Sequence, residues 1–246
     1  MPTRHVEKIH PTPTPSRSFH IRYETTLTSL PTGKHLRVWI PIPNDDAHQT
    51  IENLKIHSPW PTRITTEPVH HDRLVFLEGA VDASEMQIII EYHVDRWQYS
   101  TDFAKLATDG PGEELAFAIY REPTSLAVIT EEIEIDAARI SRDHEFTLGK
   151  ARAFYLLVQE QMIYDKSVDG WGRGDTQFAC RVGKGNCTDY HSYFNSLCRA
   201  AGIPARFQIG LYGSYDRKPG EEYVTGAYHC WAEFRIPGKA WVPVDI

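Results

Sequence analysis

One stretch decides the fold of the second half of this chain: Gly183-Lys-Gly-Asn-Cys-Thr-Asp-Tyr-His-Ser-Tyr-Phe-Asn-Ser-Leu-Cys-Arg-Ala-Ala-Gly-Ile-Pro-Ala-Arg206. Asn186 is a favourable helix N-cap, and Asp189 follows in the first turn, where an acidic side chain suits the helix dipole. Apolar and aromatic side chains then recur at helical spacing as far as Gly202, a residue typical of helix ends. The stretch therefore predicts a helix that begins at Cys187.

The position of Cys187 favours the thiolate over the thiol. At the first residue of a helix, unpaired N–H groups and the positive end of the helix dipole both stabilise a negative charge. A nucleophilic cysteine suits such a position, and a buried structural cysteine is the alternative interpretation. The other three cysteines are interpreted as small core residues, and the spacing of all four contains no C-x-x-C pair that would indicate zinc.

Composition excludes several classes of protein. The chain has 246 residues, of which 41% are hydrophobic, and a formal net charge of −7. A negative charge argues against a nucleic-acid partner, and no apolar run approaches the about 20 residues that a membrane helix needs. Residues 1–18 lack the apolar centre of a signal peptide. We expect a cytoplasmic protein as the sequence stands, or a periplasmic or secreted one if a leader has been removed.

Changes in composition and in the pattern of apolar residues divide the chain into four parts. Residues 1–17 are proline-rich and predict a disordered lead-in. Residues 18–100 hold at least five short alternating runs separated by turn residues, which predicts an antiparallel β-sandwich. Residues 101–142 contain helical segments and predict a connector. Residues 143–246 mix helices and strands, so the whole chain is predicted to be α+β.

The last two predicted strands place a histidine beside a carboxylate. The runs 228–236 and 240–246 are separated by a turn and predict a hairpin. Because side chains alternate between the faces of a strand, burial of the apolar face places His229 and Asp245 together on the other face. A carboxylate that fixes the tautomer of an imidazole makes that imidazole a general base. Cys187 as nucleophile would supply the third member of such a set.

Two other residues near this predicted set, His191 and Cys230, also need an interpretation. His191 lies four residues beyond Cys187 on the same face of the predicted helix, so it is an alternative base, or else a structural residue or one on the substrate side of the cleft. Cys230 neighbours His229 in sequence, but it points to the opposite face of its strand and is interpreted as a core residue.

Three motifs in one order resemble the transglutaminase-like superfamily, and most closely its bacterial members with an N-terminal β-domain. They are Gly185-Asn-Cys-Thr-Asp-Tyr-His with the following Arg199-Ala-Ala-Gly-Ile-Pro-Ala-Arg206, then His229-Cys-Trp-Ala-Glu-Phe, then Trp241-Val-Pro-Val-Asp245. The resemblance implies a papain-like fold, in which a helix that carries the nucleophile packs on an antiparallel sheet. Residues 143–246 would then form a catalytic domain.

The resemblance also implies functions for individual residues. Cys187 would be the nucleophile, His229 the base and Asp245 its orienting partner, in acyl transfer through a thioester. The backbone N–H of Cys187 and one side-chain donor would meet the oxyanion. Gln177 is the side chain that the sequence offers for this second donor, although a polar loop residue is the simpler interpretation.

We expect hydrolysis of a peptide or isopeptide amide, without a cofactor. Trp171, His191 and Trp231 are expected near the cleft, with the glycine-rich loops 170–174 and 213–226 at its border. The sequence has no acidic cluster like the calcium sites of animal transglutaminases, and no metal site is predicted. The alternative is an inactive transglutaminase-like module that binds peptides. Relatives usually continue beyond the aspartate, so a trimmed C-terminus or a short final sheet is expected.

Overall fold

A computed structural model describes residues 17–112, 114–213 and 218–246 of the chain. The chain divides into two compact units, one up to Ser100 and the other from Thr101 onward. Most of the predicted lead-in, residues 1–16, lies outside the described residues, and Arg17 begins the first strand. The finer boundaries that the sequence suggests, including one at residue 142, remain a proposal.

The first unit contains two antiparallel sheets of three strands. Their orders are β1-β6-β3 and β2-β5-β4. Apolar side chains of both sheets, such as Val75 and Ile88, belong to one buried cluster. The β-sandwich remains an interpretation of this arrangement. The strands are β1 Arg17–Leu27, β2 His35–Ile42, β3 Gln49–His57, β4 Thr62–Thr66, β5 Arg73–Ala80 and β6 Met86–Arg96.

The second unit contains the predicted helix and hairpin. It opens with two 3₁₀ helices, Phe103–Leu106 and Glu114–Arg121. The elements that follow are α1 Glu131–Ser141, α2 Thr147–Gln161, β7 Ile163–Tyr164, α3 Thr176–Val182, β8 Lys184–Gly185, α4 Cys187–Ala200, β9 Ala205–Leu211, β10 Tyr228–Arg235 and β11 Trp241–Val244. The chain is therefore α+β, as the sequence predicts. No helix within the described ranges has the length and apolar character needed to cross a membrane.

Helix α4 is the centre of this unit. It packs on β10 and β9 of an antiparallel sheet with the order β11-β10-β9, and α1, α2 and α3 pack on its other sides. Every residue from Cys187 to Cys198 is buried except Thr188. The buried set includes polar side chains, and such side chains need hydrogen-bond partners inside the protein. Those partners shape the site described next.

The segment between the predicted domains packs within the second unit. The rings of Phe117 and Tyr120, in the second 3₁₀ helix, contact the edge of Trp241 with centroid distances of 5.9 and 5.1 Å. Helix α1 packs against α4. Thr130 caps α1 by accepting a hydrogen bond from the N–H of Ile133, so this helix begins at Glu131.

Candidate active site

Cys187 lies at the start of α4, as the sequence predicts. The side chain of Asn186 accepts a hydrogen bond from the N–H of Thr188 at 2.9 Å, and the N–H of Asn186 donates to Asp189 Oδ2 at 3.0 Å. These two bonds form a capping box, which fixes the first turn. The cysteine is only 7% exposed. Its thiol is therefore held at the positive end of the helix dipole in a largely buried position.

Asp189 also fixes the glycine loop that precedes α3. Its carboxylate accepts hydrogen bonds from the N–H groups of Gly172 at 2.6 Å and Gly174 at 3.1 Å, and its side chain is fully buried. Both glycines have positive φ angles, which other residues adopt rarely. Gly185 lies so close to this carboxylate that a Cβ at position 185 would overlap it. One buried acid thus joins two loops to the first turn of the helix.

The histidine and the carboxylate predicted to meet are in contact. Nε2 of His229 lies 2.9 Å from Oδ2 of Asp245. The register of β10 and β11, which pairs Ala232 with Val244, brings the end of β11 alongside the start of β10. A carboxylate only accepts hydrogen bonds, so Nε2 carries the proton and Nδ1 is left for another partner. The structure therefore confirms the contact between these two side chains.

Hydrogen bonds around Cys187 hold its pKa well below the usual range of a thiol. The largest cause is a hydrogen bond from the side chain of Cys230, and the backbone N–H of Cys230 and the charge and hydrogen bond of His229 add to it. Burial opposes the shift but does not overcome it. The contact with Cys187 in turn raises the pKa of Cys230. The arrangement favours a thiolate at Cys187 beside an imidazole.

The contact between the two cysteines is the feature that the sequence interpretation missed. Cys230 is fully buried, on the face of β10 turned toward α4, and its sulfur lies 3.5 Å from Oγ1 of Thr188. Strand alternation correctly separates it from His229. The same alternation places the Cys230 side chain on the face of β10 that is covered by α4. Only the packing of α4 on β10 shows that the first turn of the helix is the part that contacts Cys230.

His191 is neither a cleft residue nor an alternative base. Its side chain is fully buried, Nδ1 lies 2.6 Å from the carbonyl oxygen of Cys187, and Nε2 accepts a hydrogen bond from the N–H of Ile246 at 3.1 Å. Both ring nitrogens are therefore occupied by backbone groups, and neither can take a proton from the thiol. Of the roles predicted for His191, these contacts favour the structural one over a role as base or on the substrate side of the cleft.

Gln177 and Trp171, two other residues predicted near the site, are both exposed at the surface. Gln177 is exposed on α3, because its neighbours Thr176 and Ala179 form the buried face of that short helix. Trp171 is 38% exposed, with the Lys166 ammonium 5.5 Å from its ring centroid. In the ranges that the structure describes, no hydrogen bond joins Gln177 to Cys187.

Trp231 and Tyr212 lie beside His229. Trp231 is on the same face of β10 as His229 and packs beside Gly210 of β9. Residues 214–217 of the loop 213–226 lie outside the described residues. Just before them, the ring of Tyr212 meets His229 edge-on at a centroid distance of 6.4 Å. The described residues contain no group of three or more His, Cys, Asp or Glu side chains that could hold a metal ion.

Comparisons with known proteins agree with this geometry. Residues 137–246 match the sequence model of the transglutaminase-like superfamily. An uncharacterised protein of Haemophilus influenzae is 26% identical over an alignment of 272 residues, which covers 91% of this chain and 68% of the relative.

Two solved structures are also similar. A candidate cysteine protease from Cytophaga hutchinsonii superposes with a TM-score of 0.73 at 16% identity, over 94% of this chain and 76% of the other. The periplasmic domain of TgpA from Pseudomonas aeruginosa has a TM-score of 0.46 at 18% identity, over 93% of this chain and 70% of the other. Residues 137–246 of this chain, which lie in its second unit, are thus similar in sequence to the transglutaminase-like superfamily.

Proposed function

We propose that this protein is a cysteine-dependent hydrolase of peptide or isopeptide amides, with Cys187 as nucleophile, His229 as acid and base, and Asp245 as the residue that orients His229. One observation carries the proposal. The thiol whose pKa is lowered lies beside an imidazole whose far nitrogen is 2.9 Å from a carboxylate. Acyl transfer by a cysteine requires a nucleophile, a base beside it, and a group that orients the base.

The proposed reaction follows from these positions. The Cys187 thiolate attacks the carbonyl carbon of the amide and forms a tetrahedral oxyanion. When the C–N bond breaks, His229 gives its Nδ1 proton to the departing amine, and a thioester remains on Cys187. His229 then takes a proton from a water molecule as that water attacks the thioester carbon. The C–S bond breaks, the acid is released, and the thiolate and the protonated imidazole are restored.

The start of α4 supplies stabilisation for the oxyanion. The first N–H groups of a helix lack partners within the helix, and the N–H of Cys187 is one of them. A negative charge that develops beside this group is also favoured by the helix dipole. We propose the backbone N–H of Cys187 as one oxyanion donor. Gln177, whose side chain is exposed on α3, is the side-chain candidate for the second donor.

Selective alkylation tests the chemistry of the thiol. The protein is treated with iodoacetamide across a range of pH, and labelling of each cysteine is measured by peptide mass spectrometry. Cys180 is an internal control, because it is more exposed than Cys187 while burial raises its pKa. We expect Cys187 to be labelled well below the ordinary thiol pKa of about 8.5, and Cys180 to resist labelling there.

The same experiment in His229→Ala tests the pairing. Removal of His229 should raise the pH at which Cys187 reacts, because the charge of the imidazole no longer stabilises the thiolate. Labelling of Cys187 only near the ordinary thiol pKa in the unchanged protein, with no effect of His229→Ala, would contradict the proposed function.

Turnover distinguishes the hydrolase from an inactive peptide-binding module. A library of peptides with a fluorogenic amide is incubated with the protein, with Cys187→Ala and with Cys187→Ser. We expect cleavage only by the unchanged protein. Added hydroxylamine should capture the thioester as a hydroxamate on the peptide. Equal cleavage by Cys187→Ala would refute Cys187 as nucleophile, and peptide binding without cleavage would favour the module.

A further inference from the structure

His191 is a buried histidine that the proposed reaction leaves without a function. It lies one helical turn beyond Cys187 on α4 and is fully buried. Nδ1 is 2.6 Å from the carbonyl oxygen of Cys187, and Nε2 is 3.1 Å from the backbone nitrogen of Ile246. The ring therefore bridges the turn that carries the nucleophile and the residue that follows Asp245.

The two backbone partners fix the protonation state of this ring. A carbonyl oxygen only accepts hydrogen bonds, so Nδ1 of His191 must carry a proton. A backbone N–H only donates, so Nε2 must keep its lone pair. Only the neutral tautomer with the proton on Nδ1 satisfies both contacts. Burial acts in the same direction, because it lowers the pKa of His191 to about 4, against the opposing effects of the Cys187 carbonyl and Asp245.

The neutral state of His191 matters for the neighbouring carboxylate. Oδ1 of Asp245 lies 3.7 Å from Nε2 of His191, whereas Oδ2 lies 2.9 Å from Nε2 of His229. A protonated His191 would offer a second N–H to the same carboxylate and would lose the bond from Ile246. Asp245 is 63% exposed at its side chain, so few other contacts hold it.

We propose that His191 is a positioning residue of the active site: as a neutral imidazole that joins the backbone of Cys187 to that of Ile246, it holds Asp245 beside His229 without competing for the carboxylate. This inference rests on the proposed function, because it gives His191 its purpose through the Cys187, His229 and Asp245 set. It concerns no contact between His191 and substrate. Its effect on the reaction passes entirely through the geometry of the other residues.

Two substitutions of His191 test its contacts with Cys187 and with Ile246 separately. In His191→Asn the amide nitrogen can occupy the place of Nδ1 and still donate to the Cys187 carbonyl, but nothing accepts from the N–H of Ile246. In His191→Gln the longer side chain can place its oxygen near the position of Nε2 and accept from Ile246. Because the Ile246 end of the bridge is the one next to Asp245, the proposal predicts that the Gln variant retains more function than the Asn variant.

The measurements are peptide cleavage and the pH profile of Cys187 alkylation. A displacement of about 1 Å in a catalytic group costs about 10²-fold in rate. We expect His191→Asn to lower kcat by about tenfold to 10²-fold with little change in KM, and to raise the pH at which Cys187 is alkylated. His191→Gln should remain within about threefold of the unchanged protein, a small effect on the same scale.

A matched control measures the effect of lost packing alone. Ser196 is a fully buried polar residue of the same helix, and its hydroxyl lies 2.9 Å from that of Thr176. Ser196→Ala should lower stability and leave the alkylation profile unchanged. Equal behaviour of His191→Asn and His191→Gln, or an alkylation profile in Ser196→Ala that moves like that of His191→Asn, would overturn the proposal.

The tautomer can be measured in the unchanged protein, so the proposal does not depend on the folding of any variant. Two-bond ¹H–¹⁵N correlation spectra of histidine-labelled protein at about pH 7 should show that the ring of His191 is neutral and carries its proton on Nδ1. A protonated His191, or one with its proton on Nε2, would overturn the proposal even if Cys187 proves to be the nucleophile. Conversely, an unreactive Cys187 would remove the proposed function whatever the tautomer is.

Discussion

The buried carboxylate of Asp189 allows a quantitative prediction for Asp189→Asn. Oδ2 accepts from Gly172 at 2.6 Å and from Asn186 at 3.0 Å, and Oδ1 accepts from Gly174 at 3.1 Å. Asparagine has the same shape but replaces one oxygen with an NH₂ group. At least one of the three backbone N–H groups would then face another donor instead of an acceptor.

The expected cost follows from the bonds that change. A hydrogen bond to a charged group contributes about 1.5–3 kcal/mol, and a buried donor without a partner costs about 1–3 kcal/mol. Because at least one bond is lost and the others lose their charge, Asp189→Asn should lower the free energy of unfolding of the second unit by about 3 kcal/mol or more. The glycine loop should also become easier to displace, since two of its N–H groups depend on this carboxylate.

The assay should report on the second unit alone. Cys198 lies in α4 and is fully buried, so its alkylation as a function of denaturant measures the unfolding of this unit. Asp175→Asn is a matched control, because Asp175 caps α3 through one accepted bond from Phe178 at 3.2 Å. That change should cost about 1 kcal/mol. If Asp189→Asn costs no more than Asp175→Asn, the reasoning is refuted.

Three further predictions concern the nucleophile and the sheet beside it. Cys230→Ala should raise the pH at which Cys187 is alkylated, because the Cys230 side chain contributes most to the low pKa, and an unchanged profile would contradict this. The lowered pKa also stabilises the folded state: the contribution is complete above the unfolded pKa of about 8.5 and is lost as pH falls through the folded pKa. Unfolding free energies of the unchanged protein and Cys187→Ser should therefore diverge as pH rises through that interval, and a constant difference would count against a thiolate. Arg206→Met should cost about 3 kcal/mol in chemical unfolding, because it leaves the Glu233 carboxylate, now 2.6 Å from Arg206, without its ionic partner. The double change with Glu233→Leu should restore most of this loss, and no recovery would argue against the ion pair.

Local rules were sufficient for the parts of the site that depend on a single element. The capping residues of α4 are adjacent in sequence, so the start of the helix at Cys187 could be predicted from Asn186 and Asp189. The contact of His229 with Asp245 follows from alternation within one hairpin, where a short turn limits the register. Both predictions join residues that are close along the chain, three positions apart in the cap and 16 in the hairpin.

Contacts between distant elements could not be predicted in this way. The neighbour of the Cys187 thiol is decided by where α4 crosses β10, and the sequence carries no local signal for that crossing. The contact of His191 with Ile246 joins residues 55 positions apart. Helical spacing predicts that His191 lies near Cys187. The direction of its ring depends also on Ile246, which follows β11 and donates to the ring.

A similar limit applies to polar and short elements. Strand β4, Thr62–Thr66, lacks the apolar alternation that indicates a strand, and it forms because β5 offers a partner. The run Glu114–Arg121 has helical apolar spacing but is a 3₁₀ helix. In both cases the surrounding structure, rather than the intrinsic preference of the segment, selects the conformation.

The close approach of Gly185 to Asp189 links the mutational freedom of these two positions. Alanine at 185 would push the carboxylate out of its place, so its cost includes the bonds that Asp189 makes to the glycine loop. Once Asp189 is itself shortened to alanine, those bonds are already gone, but its Cβ remains 2.6 Å from the position of the added methyl group and still overlaps it. The two substitutions should therefore be only partly additive in a double-mutant cycle. Position 185 therefore remains restricted to glycine as long as residue 189 has a Cβ in this position, whatever the rest of its side chain.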